Sequence, residues 1–380
     1  MQNVLRYTTN QDRSFLTAAL EDGFCVYQLS PLSLQARRRF DDGGVRIAQM
    51  IYRSNIILLV GGGKNPKFAS NKVIFWDEKK QAPVGEIEFK SEVLNIQCDK
   101  QFLLVMLKNK AVLYSITNGP VLLKEIQTSS ERGTCSMVSL GQNAIMCIPA
   151  RNVGHIQLMF FKAKQFKSSI ILAHEAAISS LSFSRTGKLL ASCSEHGTLI
   201  RVWNTETGEK ITELRRGFQK AKIKLLRFSP DETLFAASSE RSTLHVYSLQ
   251  GNPIKLLKSS LKVDDEDRLT GSGSTDSFEN QMIDSEDAVQ QTHWKRRIGE
   301  MIDAGKRPHW TIKLASSDPS AMEWLSDTSL FVAYLNGDYQ TFTLTVEEHV
   351  HKGKSSFQPT LSVHYRAVNN KFGNILSDDE

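Results

Sequence analysis

The chain of 380 residues is 40% hydrophobic with a net charge of +6, apolar enough for a sizeable core and too mildly basic to name an anionic partner by charge alone. No apolar run reaches the ~20 residues of a membrane span, and the opening stretch MQNVLRYTTNQDRS lacks the apolar segment of a signal peptide. The five cysteines (Cys25, Cys98, Cys135, Cys147 and Cys193) are scattered without a CxxC pair, which argues for a reduced, cytosolic protein with buried thiols and against a zinc site.

In chain order, short β-branched and aromatic runs recur, each followed by polar turn residues. They are VYQL at 26, VIFW at 73, VLYS at 112, QLMF at 157, IRVW at 200, LHVY at 244 and YQTF at 339. The steps are about 47, 39, 45, 43, 44 and 95 residues, and a period of about 40–45 is that of four-stranded propeller blades. The last step is one period plus an insertion. The spacing predicts an all-β, seven-bladed, WD40-like β-propeller over residues 1–346, with divergent blades and a long loop inserted in the sixth. GGGKNPK at 61–67 lacks the GxxxxGK[ST] spacing and the following helix of a phosphate loop, so it reads as a glycine-rich hairpin loop. The clearest unit runs from 178 to 214 as SLSFS, KLLASCS, TLIRVWN and ITEL separated by turns. Its Gly187, Gly197 and Gly208 fall where positive φ is needed.

At the junction with the next unit stands ELRRGFQK, with Arg215 and Arg216 adjacent. Successive side chains of an extended strand point in opposite directions. Arg215 could face the blade before and Arg216 the blade after. His174, Ser192, Ser194, Thr198 and Arg201 lie upstream, and Ser239, Thr243 and His245 downstream. Hydroxyl, imidazole and guanidinium groups together are a donor set for phosphate oxygens. The alternative is a solvated basic turn with Ser and Thr closing blade turns. His174, His196 and His245 are too far apart in sequence for a helical metal motif, and no nucleophile motif such as GxSxG is present. The reading is therefore of a non-enzymatic protein without metal or cofactor.

Residues 250–309 interrupt the repeat. The first half of the insertion is acidic and rich in Ser and Gly, the composition of a disordered segment. In the second half Trp294, Ile298, Met301 and Ile302 fall on one face of a helix, beside Lys295, Arg296 and Arg297. Such an element either packs on the propeller side or lies in a membrane interface. Residues 347–380 form a polar, partly disordered carboxy-terminal segment on this reading.

LRRG between two blades, with AHEAAIS, SCSEHGTLIRVW and SSERSTLHVYSL around it, resembles the PROPPINs, β-propellers that bind polyphosphoinositides and carry a Phe/Leu-Arg-Arg-Gly motif. LVGGGKNPKFASNKVIFWD followed by EIEFKSEVLNI is similar to the branch of WIPI-three and WIPI-four type proteins. The resemblance implies seven blades and two lipid sites on the rim of the fifth and sixth. The first would use His174, Ser192, Ser194, Gly197, Thr198, Arg201 and Arg215, and the second Arg216, Ser239, Thr243 and His245. It implies that the 250–309 loop inserts into membrane between the last two strands of blade six. It further implies recognition of phosphatidylinositol 3-phosphate and the 3,5-bisphosphate on autophagosome precursors or endosomal and vacuolar membranes. The partner it implies is the bridging lipid-transfer protein of autophagy, met through Asn10, Gln11 and Asp12, although a turn capped by Asn and Asp explains those residues as well. A monomer without nucleic-acid binding is expected. A WD-type protein scaffold without lipid function is the competing reading.

Overall fold

The computed structural model describes residues 4–141, 143–162, 165–249, 307–351 and 354–362, the last stretches, beyond 344, as backbone only. It contains seven four-stranded antiparallel sheets, each made of four strands consecutive in sequence. These are blades one to seven, at residues 4–39, 45–88, 93–127, 136–172, 178–215, 223–313 and 319–362. The recurring runs of the sequence are the third strands: Gly23–Leu29, Lys72–Asp77, Lys110–Ser115, His155–Lys162, Leu199–Asn204, Thr243–Ser248 and Tyr339–His351. Each is paired on both edges within its sheet, so β-branched and aromatic residues suit it.

The first strand of each blade touches the first strand of the next, and blade seven returns to blade one. The ring is closed, a seven-bladed propeller. Its apolar residues fall into clusters that each span two neighbouring blades. Leu189 and Val202 of blade five, for example, pack with Ile223, Phe235 and Tyr247 of blade six. Blades six and seven share a cluster, as do seven and one. Among the described residues no strand from one end of the chain completes the sheet at the other, and side chains hold the two ends together. Val4, Tyr7 and Leu16 pack against Ala321, Phe331 and Ala333, and the Tyr7 hydroxyl donates to the Tyr334 carbonyl at 3.2 Å.

Gly187, Gly197 and Gly208 have φ of 71°, 59° and 74°, as the turn pattern requires. GGGKNPK is a structural loop laid over the link between blades one and two. Gly44 N donates to Asn65 O at 2.8 Å and Lys67 N to Gly44 O at 2.9 Å. A Cβ on Gly61 would lie 1.5 Å from the Phe68 carbonyl oxygen, a contact that only glycine permits.

In blade six the third strand pairs with an outer strand, Trp310–Lys313, with His245 opposite Thr311 and Thr243 opposite Lys313. The insertion therefore joins two hydrogen-bonded neighbours. Its amphipathic residues Trp294, Lys295, Arg296, Arg297, Ile298, Met301 and Ile302 lie outside the described residues. In blade seven the third strand pairs with an outer strand at Lys354–Ser362. The propeller thus reaches 362 rather than 346, because a polar stretch expected in the tail supplies the last strand.

Candidate functional site

The site is built where blade five hands over to blade six. Arg215 is the last residue of the outer strand Lys210–Arg215, opposite Leu199. Its half-buried side chain has its guanidinium 5.3 Å from the centre of the Phe218 ring. Beside it, Glu213 accepts from Arg201 Nε at 2.9 Å. Burial pushes the Glu213 carboxyl up, and the bond and charge of Arg201, with Lys210 and Arg215 behind, outweigh it and hold the carboxyl below its usual range. Arg201 Nη1 also donates to Ala173 O at 2.5 Å. Arg201 is therefore already neutralised by the protein, whereas Arg215 has no ion pair among the described residues.

Arg216 follows directly after the strand. Only 8% of it is exposed. Its backbone N–H donates to Thr198 O at 3.0 Å, its Nε to Gly197 O at 2.9 Å, and its Nη2 to Gln219 O. These partners are carbonyls, and among the described residues no carboxylate lies in ion-pair range of it. Burial and the nearby Arg241 charge pull its pKa down. Its own charge reaches into blade six. Burial first, and Arg216 second, push the His245 imidazole down to about 4. A buried cation held only by dipoles lowers the local cost of bringing in an anion.

The remaining candidates divide into groups that a ligand could reach and groups already spent. His174 Nε2 pairs with Ser192 Oγ at 2.9 Å, and Trp203 Nε1 donates to the same oxygen at 2.9 Å. Ser192 is fully buried, so its hydroxyl braces blade five and is not an open ligand contact. Burial, then the Arg201 charge, push His174 down to about 4, leaving it neutral at pH 7. Ser194 is buried at the hairpin end, and its carbonyl accepts from Gly197 N at 3.0 Å. Gly197 and Thr198, expected beside Arg215, give their carbonyls to Arg216 instead. In blade six Ser239 Oγ and Thr243 Oγ1 are 2.8 Å apart across the hairpin, and His245 Nδ1 lies 3.2 Å from Thr311 Oγ1.

Register reveals residues that the sequence reading missed. Arg201 lies opposite Ser192 and Glu213, and His245 opposite Ala237 and Thr311. The two therefore occupy the same place in successive blades. By the same rule Lys313, opposite Thr243, takes the place of Arg215, opposite Leu199. Lys313 is exposed. The insertion breaks the repeat count ahead of Thr311 and Lys313, and a strand of four residues carries little pattern of its own. Thr198 and Thr243 look alike in sequence but are not equivalent. Thr243 opens its strand, whereas Thr198 lies in a turn one residue longer.

Replacing Ser192 with Ala leaves the Trp203 N–H buried without an acceptor. The expected cost is about 1–3 kcal/mol, read as a lower midpoint in thermal denaturation.

Asn10, Gln11 and Asp12 shape the turn between the first two strands of blade one, Val4–Thr9 and Phe15–Leu20. Asn10 is 2% exposed. Its Oδ1 accepts from Phe15 N at 2.9 Å, and its Nδ2 donates to Tyr52 O at 3.1 Å. Gln11 Nε2 donates to Met50 O at 3.0 Å. Asp12 accepts from Ser14 N at 3.0 Å and pairs with Arg53 Nε at 2.8 Å. Asn10 and Gln11 are spent on the fold, so a partner would meet the Asp12–Arg53 pair.

Comparison with known proteins agrees with this fold. The family model described as PROPPIN matches residues 4–254. SVP1-like protein 2 of Schizosaccharomyces pombe is 40% identical over 348 residues, covering 92% of this chain and 93% of that protein. Autophagy-related protein 18e of Arabidopsis thaliana is 31% identical over 249 residues, covering 65% and 66%. Among solved structures, Hsv2 of Kluyveromyces lactis superposes with a TM-score of 0.69 at 21% identity, covering 95% of this chain and 98% of that one. At that identity the likeness speaks for the fold.

Proposed function

The chain belongs to the PROPPIN family, and from that membership and the blade five–six geometry we infer that it is a non-enzymatic phosphoinositide effector. It docks on membranes carrying phosphatidylinositol 3-phosphate, and the 3,5-bisphosphate, and acts as an adaptor in autophagosome formation from the cytoplasmic side. The observation that carries this reading is the pair of arginines with unspent charge. Arg215 has no ion pair among the described residues, and Arg216 is buried against carbonyls.

In the first site Arg215 supplies the charge, since Arg201 is held by Glu213. His174 is neutral, so its second ring nitrogen orients a headgroup by hydrogen bonding. In the second site Arg216 supplies the charge from beneath, His245 and Thr311 flank it, and Lys313 stands where Arg215 stands in the first. A guanidinium binds phosphate bidentately, and hydroxyl and imidazole groups select orientation. Each site alone is modest. Two on one membrane-facing edge raise the effective concentration of the second lipid, which makes docking tight and reversible. Insertion of the apolar residues of the 250–309 segment into the bilayer would add to this grip. The likeness to the WIPI-three and WIPI-four type branch favours the bridging lipid-transfer protein as partner, docked beside Asp12 and Arg53.

The test is flotation with phosphatidylcholine vesicles carrying one phosphoinositide at a time, matched in surface charge. Co-flotation with the 3-phosphate and 3,5-bisphosphate lipids, and not with unphosphorylated phosphatidylinositol, is expected. Equal binding to every anionic vesicle would reduce the interaction to general electrostatics. Binding to none would leave the protein-scaffold reading.

A further inference from the structure

The loop joining blade five to blade six, residues 216–222, carries Phe218. At 81% it is the most exposed large apolar side chain among the described residues. The loop is tied down on both sides of it. Arg216 holds the Gly197 and Gln219 carbonyls. Arg241 holds the Gln219 side chain, and its Nη2 donates to Lys220 O at 3.3 Å. Ala221 is buried, and its N–H donates to His196 O at 3.2 Å. Phe218 therefore stands at the apex of an anchored loop, with its ring face against the Arg215 guanidinium.

A single exposed apolar residue is ordinary on a protein surface. Phe218 differs in its company. Arg215 stacks on it, Arg216 lies in the residue before Gly217, and Lys220 and Arg241 are exposed around it. An aromatic ring held outward among guanidinium and ammonium groups has the composition of a bilayer-interface contact. The ring fits the boundary between headgroups and acyl chains, and the cations fit the phosphates. The stack does not compete with phosphate, because a ring takes the face of a guanidinium and a phosphate takes its edge.

We propose that Phe218 is an interfacial membrane anchor that inserts between the headgroups held by Arg215 and Arg216. This rests on the phosphoinositide reading and extends it, since it gives the described propeller an apolar grip of its own, separate from the 250–309 insertion. The loop then couples recognition to insertion. The stack on Arg215 fixes the ring at the depth set by the bound headgroup.

Phe218→Ala and Phe218→Trp in the full chain test this against vesicles of phosphatidylcholine with a few per cent phosphatidylinositol 3-phosphate, and against soluble inositol 1,3-bisphosphate. Phe218→Ala should weaken vesicle binding about tenfold, the scale of one lost apolar side chain, with soluble headgroup affinity unchanged. Phe218→Trp should retain vesicle binding. After subtraction of the wild-type spectrum, its emission should shift to the blue on these vesicles and be quenched by brominated acyl chains. Unchanged vesicle affinity in Phe218→Ala overturns the proposal, as does an unshifted and unquenched tryptophan. Parallel loss in both assays also overturns it, because Phe218 would then only position Arg215. If wild-type protein binds neither vesicle nor headgroup, the phosphoinositide reading falls and this proposal with it. If wild type binds both and Phe218→Ala matches it, this proposal falls alone.

Discussion

Replacing Arg215 and Arg216 together by Thr should abolish flotation with vesicles carrying phosphatidylinositol 3-phosphate while the circular dichroism spectrum stays that of a β-protein. Each arginine offers charge-assisted hydrogen bonds of about 1.5–3 kcal/mol, so losing both costs at least about a hundredfold in affinity. The single variants separate one site from two. With two sites, Arg215→Thr and Arg216→Thr each keep a weakened interaction, because one headgroup still binds while avidity is lost. With one shared site, either change equals the double.

The singles should also differ in stability. Arg215 stacks on an exposed ring and holds no ion pair among the described residues, so its loss leaves the melting temperature nearly unchanged. Arg216 is buried, and its loss leaves the Gly197 and Gln219 carbonyls without a donor. That costs about 1–3 kcal/mol. Flotation of the double variant at wild-type level would sink the lipid reading.

Glu323→Gln should lower stability at pH 7 by about 3–5 kcal/mol, the scale for breaking a buried ion pair. Glu323 lies in the first strand of blade seven and is 1% exposed. Its Oε1 accepts from Arg227 Nε of blade six at 2.7 Å and from Thr9 Oγ1 of blade one at 2.9 Å. Its Oε2 lies 3.6 Å from Arg13 Nε. One carboxylate thus joins the last blade to its neighbours on both sides, in a ring without strand exchange among the described residues. Gln keeps the volume and the Thr9 bond and removes the charge, leaving two guanidiniums facing each other.

The pH dependence has a definite sign. Burial raises the Glu323 carboxyl, but the charges of Arg227 and Arg13 and the bonds from Arg227 and Thr9 outweigh it, and the folded pKa lies below the ordinary 4.5. A carboxylate depressed on folding contributes fully above its unfolded pKa, and that contribution is lost as pH falls through the folded value. The melting temperatures of wild type and Glu323→Gln should therefore differ at pH 7 and converge as pH falls through the depressed folded value. A gap that persists in acid would mean that packing, not charge, holds blade seven.

Legibility differed from element to element. A blade is a local meander whose hydrogen bonds close within about 40 residues, so its period is written along the chain. The third strand of each blade was found from its apolar run, and the count of seven followed. The arginine doublet was also readable, but Arg216 follows the strand that ends at Arg215, and its carbonyl partners Gly197 and Gln219 are set by the fold. The outer strand Lys354–Ser362 was missed because a polar stretch becomes a strand only through the partner it pairs with. Thr311 and Lys313 were missed for a related reason: their register is set across an insertion that erases the repeat count.

The sequence by itself determined the fold class, the number of blades and the arginine doublet at the junction of two of them, because these depend on periodicity and on neighbours along the chain. Only the tertiary structure decided which donors remain available. Ser192 is consumed by His174 and Trp203, Arg201 by Glu213 and Ala173, and Asn10 by its own turn. Arg215 keeps its charge unspent at the edge, Arg216 keeps it buried among carbonyls, and Phe218 is held outward between blades. Hydrogen-bond capacity is used up by whatever lies within about 3 Å, and those neighbours come from strands distant in sequence.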